Sequence, residues 1–484
     1  MNLRFNLSLI ISARRLRSAM LTVLITLGLL VAPSQGAEFT LPQYTTVTLD
    51  NGMTLYLMEQ HEVPMIDIEV VVSAGAIVDG SASGLAEATA SSLLLGTQSM
   101  TKTQIEEAVE FVGAELSSSA SLEYSSVSAS FLVKDSATIL PILSDVIQQP
   151  QFAEEEFQKY QTRQLDKLKL RKESPEDVVG DYFKQLVFAN HVYSNIVPGT
   201  ADTFGQLNVD AIRQFYQRHY TPENMAITVV GDFSTEAMTK QLKELFNNWN
   251  NTALRGPKAP TIAKATRPSK ARVLVVNKDD ARQSTFLIGG AGISRSDPDF
   301  VALTVINTIL GGRFSSWLNS ELRVNSGLSY GARSQFSALK TDGAFYISSY
   351  TDTVNTEQAL DLALSTYKRL WQNKIDTTLL NSAKAYVKGQ FPPRYETSSQ
   401  LASLLGQMHI YGFDQAFINT FQQNVDSLTL EKTAALIDTH FPKEHLQMVV
   451  IGKAEAIQEM LKKYGEITTI QISDPGFSVP ESKE

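Results

Sequence analysis

Apolar and polar positions alternate on both sides of Asn51-Gly52, with Val47 and Leu49 before it and Met53, Leu55 and Leu57 after it. That period of two, broken by a dipeptide that favours a type I′ turn, predicts a β-hairpin. Met65 to Val72 continues as a third strand and stops before Gly75. The period then becomes helical: residues 84–97 carry Leu85, Ala86, Ala90, Leu93 and Leu94 along a short helix, with Ser81 and Ser83 available as caps and Gly96 at its end. Lys102 to Phe111 reads as another helix, Leu116 to Val133 as two strands, and Ile139 to Val146 and Glu154 to Lys172 as helices. Strands and helices do not alternate one for one, so the pattern predicts an α+β layer rather than a doubly wound sheet.

One segment occurs twice. His219-Tyr220 followed by residues 227–231 (Ile-Thr-Val-Val-Gly) matches His440-Phe441 followed by residues 448–452 (Met-Val-Val-Ile-Gly), at a constant offset of 221 residues and without a gap. Each copy ends a helix, crosses a polar turn, runs a buried strand and stops at glycine; a helix then follows, Ser234 to Phe246 and Glu455 to Tyr464. The chain therefore divides into two similar halves, 38–255 and 271–470, joined by a basic, proline-bearing linker over 256–270. The polar tail over 471–484 is expected to be disordered.

In the second half, Ala302, Val305, Ile306, Ile309 and Leu310 form one helical face, and Phe314, Trp317, Leu318 and Leu322 form another after Gly311-Gly312. Arg323 closes the second helix, and Tyr330 follows the Ser326-Gly327 turn at the start of a strand that pairs with Ala344 to Tyr350 across Asp342-Gly343. By residue type alone, the arginine complements a helix dipole and the tyrosine is half-buried packing.

Composition changes this picture at the N-terminus. Arg4, Arg14, Arg15 and Arg17 precede an apolar run from Ala19 to Ala32 and small residues at Pro33 to Ala37, so residues 1–37 read as a secretory signal peptide. The run is shorter than the roughly 20 residues of a spanning helix, which leaves an uncleaved anchor as the less favoured reading. Without residues 1–37 the chain holds 38 basic and 51 acidic residues, a net charge of −13, which disfavours nucleic acid and anionic lipid as partners. Cysteine is absent, so disulfides, thiol nucleophiles and thiolate metal sites are excluded. The expected location is periplasmic or secreted.

Glu87 and Ser91 share one face of the first helix, at the spacing with which two histidines of a zinc-peptidase helix grip a metal; neither is a histidine. Gly84-Leu85-Ala86 and Gly96-Thr97 around that helix, with residues 310–323 (Leu-Gly-Gly-Arg-Phe-Ser-Ser-Trp-Leu-Asn-Ser-Glu-Leu-Arg) and Gly327-Leu328-Ser329-Tyr330, resemble the M16 (pitrilysin, or inverzincin) zinc peptidases, in particular the bacterial branch similar to mitochondrial processing peptidase. The resemblance implies two homologous α+β domains, each a mainly antiparallel sheet covered by helices, forming half of a clamshell around a peptide chamber. Aligned on Gly84 and Gly96, the family's His-x-x-Glu-His motif falls on Glu87, Ala90 and Ser91; its third ligand, counted back from Glu173-Ser174-Pro175, falls on Lys167. A hydroxyl is a poor zinc ligand, alanine cannot take a proton and an ammonium repels the metal. His61, His191, His219, His409, His440 and His445 are too scattered to replace the motif, so no zinc is expected on this chain.

Arg323 and Tyr330, by contrast, fall on the family's pair, which the resemblance implies holds a substrate carbonyl and stabilises the oxyanion in an active site built by another first half. The expectation is a non-catalytic subunit of a heterodimeric M16 peptidase, inactive alone. Its partner would be a zinc-bearing paralogue and its substrate a peptide. The alternative, from another class, is a peptide-binding or scaffold protein with no role in catalysis.

Overall fold

The computed structural model describes residues 39–249, 261–372 and 374–480, so the signal segment, residues 256–260 of the linker and residues 481–484 of the tail lie outside the described residues. The first half builds β1 (Thr45–Thr48), β2 (Thr54–Glu59), β3 (Met65–Val72), β4 (Glu115–Ala120), β5 (Ser125–Leu132) and β6 (Met225–Gly231) into one sheet of order β1-β2-β6-β3-β5-β4. The second half builds β7 (Arg272–Asn277), β8 (Gln283–Ala291), β9 (Ala332–Ala338), β10 (Gly343–Asp352), β11 (Gln447–Gly452) and β12 (Glu466–Gln471) into a sheet of order β12-β7-β11-β8-β10-β9. The repeated segments are β6 and β11. Both sit third in their sheets, parallel to β2 or β7 on one side and antiparallel to β3 or β8 on the other. Each is buried along its whole length, which explains a nearly continuous apolar run, interrupted in β6 by Thr228, where an outer strand alternates. The halves are α+β, as the pattern predicts, with mainly antiparallel sheets, as the resemblance implies.

Two turns differ in detail from the expectation. Asn51 keeps a negative φ while Gly52 takes φ +92°, with Gly52 N donating to Leu49 O (2.9 Å) and Leu49 N to Met53 O (2.8 Å). This is a three-residue loop with a glycine bulge, not a type I′ turn. Asn51 is used for its side chain instead: Nδ2 donates to Phe246 O and Trp249 O, pinning the hairpin to a helix of the same half. Likewise β9 and β10 pair as predicted but across residues 339–342, so Asp342-Gly343 ends the loop rather than forming it.

Five helices hold the candidate site and join the halves: α1 (Leu85–Ser92), α2 (Glu154–Arg171), α3 (Pro175–Phe188), α4 (Phe300–Asn307) and α5 (Ser398–Tyr411). α3 and α5 are exchanged between halves. α3 belongs to the first half in sequence but buries Val178, Val179, Tyr182, Phe183, Leu186 and Val187 against the second sheet, with Leu274, Leu287, Val449 and Ile451. α5 does the reverse against β3 and β6: the Thr228 hydroxyl lies 2.9 Å from Ala402 O, and a Cβ on Gly406 would meet Val71 Cγ1 at 2.9 Å. β3 is therefore covered on both faces. Ile66, Ile68, Val70 and Val72 join the main core, while Val71 packs with Ile410 of α5 and the Glu69 carboxyl lies close to Gly406.

The expected tail and linker are corrected in part. Phe477 is buried, meets the Tyr182 ring at 4.9 Å and carries the Lys172 ammonium over its own ring at 5.1 Å, so the chain is packed beyond 471. In the linker, Ala263 O lies 2.9 Å from His191 Nε2 and Ala265 N donates to Asp342, which ties a mostly exposed segment to both halves. Polar composition hides single anchoring residues of this kind.

Candidate functional site

α1 is not capped by Ser81 or Ser83. Gly84 is the capping residue, at φ +96°, and Ser83 donates instead to Ile196 O (2.9 Å). The orphan N–H groups are met by a buried carboxylate five residues upstream: Asp79 accepts from Gly84 N and from Ala86 N, both at 2.8 Å. Burial pushes the Asp79 carboxyl up to about 7, against these hydrogen bonds, which pull it down. The signal for it was an acid just before a glycine-led helix, masked by nearer serines.

The four positions of the degenerate motif part company. Ser91 Oγ donates to Glu87 Oε1 (2.9 Å) and Ala120 N donates to Glu87 Oε2 (2.7 Å), so Glu87 bridges α1 and the edge strand β4. Burial raises the Glu87 carboxyl, and Ser91 also hydrogen-bonds Tyr160 of α2, whose hydroxyl burial pushes up to about 12. Ala90 is fully buried and contributes only packing. Lys167 is exposed on α2 and makes no hydrogen bond or ion pair with Glu87 or Ser91. A tied carboxylate, a methyl, a hydroxyl and a separate ammonium do not fit zinc. What the residues do instead is close an outward-facing donor of β4 with a hydrogen-bonded clasp.

Asp79 sets a pH dependence. Because its folded-state pKa lies above the ordinary 3.8, the folded state holds the proton more tightly, and the stability it contributes falls as pH rises from about 4 to about 7. Asp79→Asn is therefore expected to flatten this part of the stability profile, read as urea midpoints between pH 4 and pH 8. An unchanged slope would show that the carboxylate is already ionised throughout the window.

In the second half, the chain after α4 runs through a π-turn segment, Thr308–Gly312, and then Trp317–Asn319 leads into a second, Ser320–Asn325. Gly311 allows the first to press against β9, since a Cβ there would lie 2.3 Å from Ser334 N. Ser329 N donates to Leu322 O (3.0 Å) and Ser326 Oγ to Glu321 O (2.7 Å), closing the loop that separates Arg323 from Tyr330. The two side chains consequently meet: the Arg323 guanidinium lies 4.7 Å from the Tyr330 ring centre. The Phe314 ring centre is also close, at 4.9 Å.

Tyr330 is 73% exposed and Phe314 67% exposed, so this is an open cation–aromatic stack rather than packing. Neither Arg323 nor the Tyr330 hydroxyl forms a hydrogen bond or ion pair with a described residue, although Arg369 pairs with the adjacent Glu321 at 2.8 Å. Their donors are available to a carbonyl or oxyanion of another molecule. Phe314 was expected on the apolar helix face; the helix begins at Trp317, which leaves Phe314 in the preceding loop. Among the described residues, Asp297, Asp299 and His440 also gather, but His440 Nε2 (3.2 Å) and Lys432 Nζ (3.7 Å) already serve Asp299.

Comparison with known proteins agrees with this architecture. Residues 55–201 match the sequence model of the insulinase family (peptidase family M16), and residues 206–387 match that of the peptidase M16 inactive domain. The chain is 26% identical over 392 residues to an uncharacterized zinc protease of Mycobacterium leprae, spanning 80% of this chain and 87% of the relative. It is 25% identical over 402 residues to a non-peptidase homolog, YmxG, of Helicobacter pylori, spanning 81% and 90%. A peptidase M16 inactive domain from Pseudomonas fluorescens shares the fold at TM-score 0.79 and 24% identity, covering 85% of this chain and 98% of that one. A protease from Helicobacter pylori does so at TM-score 0.80 and 22% identity, covering 85% and 100%. Two such halves define the M16 peptidase fold. The chain belongs to the M16 peptidase family, with both its N-terminal and its inactive C-terminal domain.

Proposed function

We propose that this chain is a non-catalytic subunit of a heterodimeric M16 peptidase, exported to the periplasm, which presents Arg323 and Tyr330 to peptide bound in the active site of a zinc-bearing paralogue. The observation that carries the reading is a contrast within one chain. Glu87 and Ser91, at two of the positions matched to the metal motif, form a clasp with Ala120, while Arg323, partly exposed, and Tyr330, exposed, are brought together without hydrogen-bond partners among the described residues. A pair kept only for packing has no reason to stand in solvent. The printed name of the Helicobacter relative, a non-peptidase homolog, supports the same reading, whereas the zinc-protease names of other relatives do not extend to a chain with these donors.

The test is metal content and peptide cleavage by the purified chain, alone and with the paralogue that co-purifies with it. The chain alone is expected to hold no stoichiometric zinc and to cleave nothing, and the pair to hold zinc and to cleave peptide. Zinc and turnover in the isolated chain would overturn the proposal; a zinc-free assembly without turnover would favour a scaffold.

A further inference from the structure

Arg295 lies in the loop after β8, held by its backbone N–H on Leu339 O. Its guanidinium carbon is 4.2 Å from the Phe300 ring centre and 5.1 Å from those of Phe413 and Phe417, so three phenyl groups cage it. Phe300 opens α4, and Phe413 and Phe417 come after α5. Nη1 is buried and has no hydrogen-bond partner. The other titratable groups facing the guanidinium are Tyr395, Tyr411 and a second cation, Arg394. No described carboxylate pairs with it. Asp297 accepts from Asp299 N and Asp414 from Ala416 N, so the nearest acids in sequence are engaged elsewhere.

A guanidinium with a desolvated fork nitrogen and no acceptor is costly, and cation–π contact compensates only in part. Two arginines meet there with no described carboxylate pairing with Arg295, the nearby Glu123 lying against Tyr411 instead, and Arg295 keeps partial access to solvent. We propose that this cage is a binding site for a carboxylate carried next to an apolar side chain, as in a peptide. The unburied Nε–Nη2 edge of the Arg295 guanidinium takes the two oxygens, and Phe300, Phe413 and Phe417 take the apolar neighbour. A peptide offers that carboxylate either at its C-terminus or on an aspartate or glutamate side chain. The site is separate from the Arg323 stack and does not depend on the proposed partner.

The experiment uses the purified chain and three fluorescently labelled octapeptides of equal length ending in two leucines: the free acid, its C-terminal amide, and that amide with one internal glutamate. By anisotropy, at least one carboxylate-bearing peptide is expected to bind about tenfold tighter than the plain amide. Preference for the free acid assigns the chain terminus; preference for the glutamate peptide assigns a side chain. Arg295→Met should abolish the preference and leave the thermal midpoint unchanged or raised, since an uncompensated charge is removed from an aromatic cage. Arg295→Lys, which keeps the charge and loses the fork, should weaken it. Equal binding of all three peptides, or an Arg295→Met variant that loses stability and leaves any preference intact, would overturn the proposal.

Discussion

Alanine in place of Gly231 is expected to destabilise the chain by about 3–5 kcal/mol, the range of severe backbone clashes, while alanine at Gly452 should cost about 1 kcal/mol. These glycines end the two repeated strands at equivalent places in the sequence. Their surroundings differ. Gly231 has φ +146°, and a Cβ there would lie 2.1 Å from Met65 O and 2.9 Å from Ile66 Cα, both backbone of the neighbouring strand. Gly452 lies outside the left-handed region, and its Cβ would first meet Ser284 Oγ at 2.9 Å and Ile457 Cδ1 at 3.2 Å, side-chain ends that can move. Urea midpoints and soluble yields of the two variants measure the contrast. Equal losses would mean that the two strand ends are built alike, against these distances.

Arg323→Ala, assayed in the proposed assembly with a zinc-bearing paralogue, is expected to lower kcat by about 10²–10³ without dissociating the complex, the range for removing one fixed donor from the reacting carbonyl. Tyr330→Phe should act in the same direction, because its hydroxyl has no described partner inside the chain to lose. Size-exclusion chromatography with steady-state kinetics separates the outcomes. Full turnover in both variants would leave the pair as a surface stack and return the protein to the scaffold reading.

How much of this was readable from the chain depends on the range of the interaction. The hairpin around Asn51-Gly52, the strand Met65 to Val72, the helix Lys102 to Phe111 and the buried strands of the repeat arise from local periodicity, and all of them form. The turn chemistry at Asn51 was misread because its side chain is claimed by Phe246 and Trp249, residues nearly 200 positions away. Phe314 was placed on a helix face because its spacing from Trp317 and Leu318 is helical; packing of Gly311 against Ser334 ends the earlier segment and leaves Phe314 outside.

By itself the sequence determined the two-half α+β plan, because periodicity and the repeat are local, while the expectation of a zinc-free motif at Glu87, Ala90, Ser91 and Lys167 and of a functional pair at Arg323 and Tyr330 came from its resemblance to the M16 peptidases. Only the tertiary structure decided that α3 and α5 change places, that Glu87 is tied to β4, that Asp79 rather than a serine accepts the N–H groups at the start of α1, and that Arg295 has three rings around it and no described carboxylate paired with it. These depend on which distant surfaces meet. A hydrophobic face specifies that it must be covered, and the chain's own pattern does not say by what.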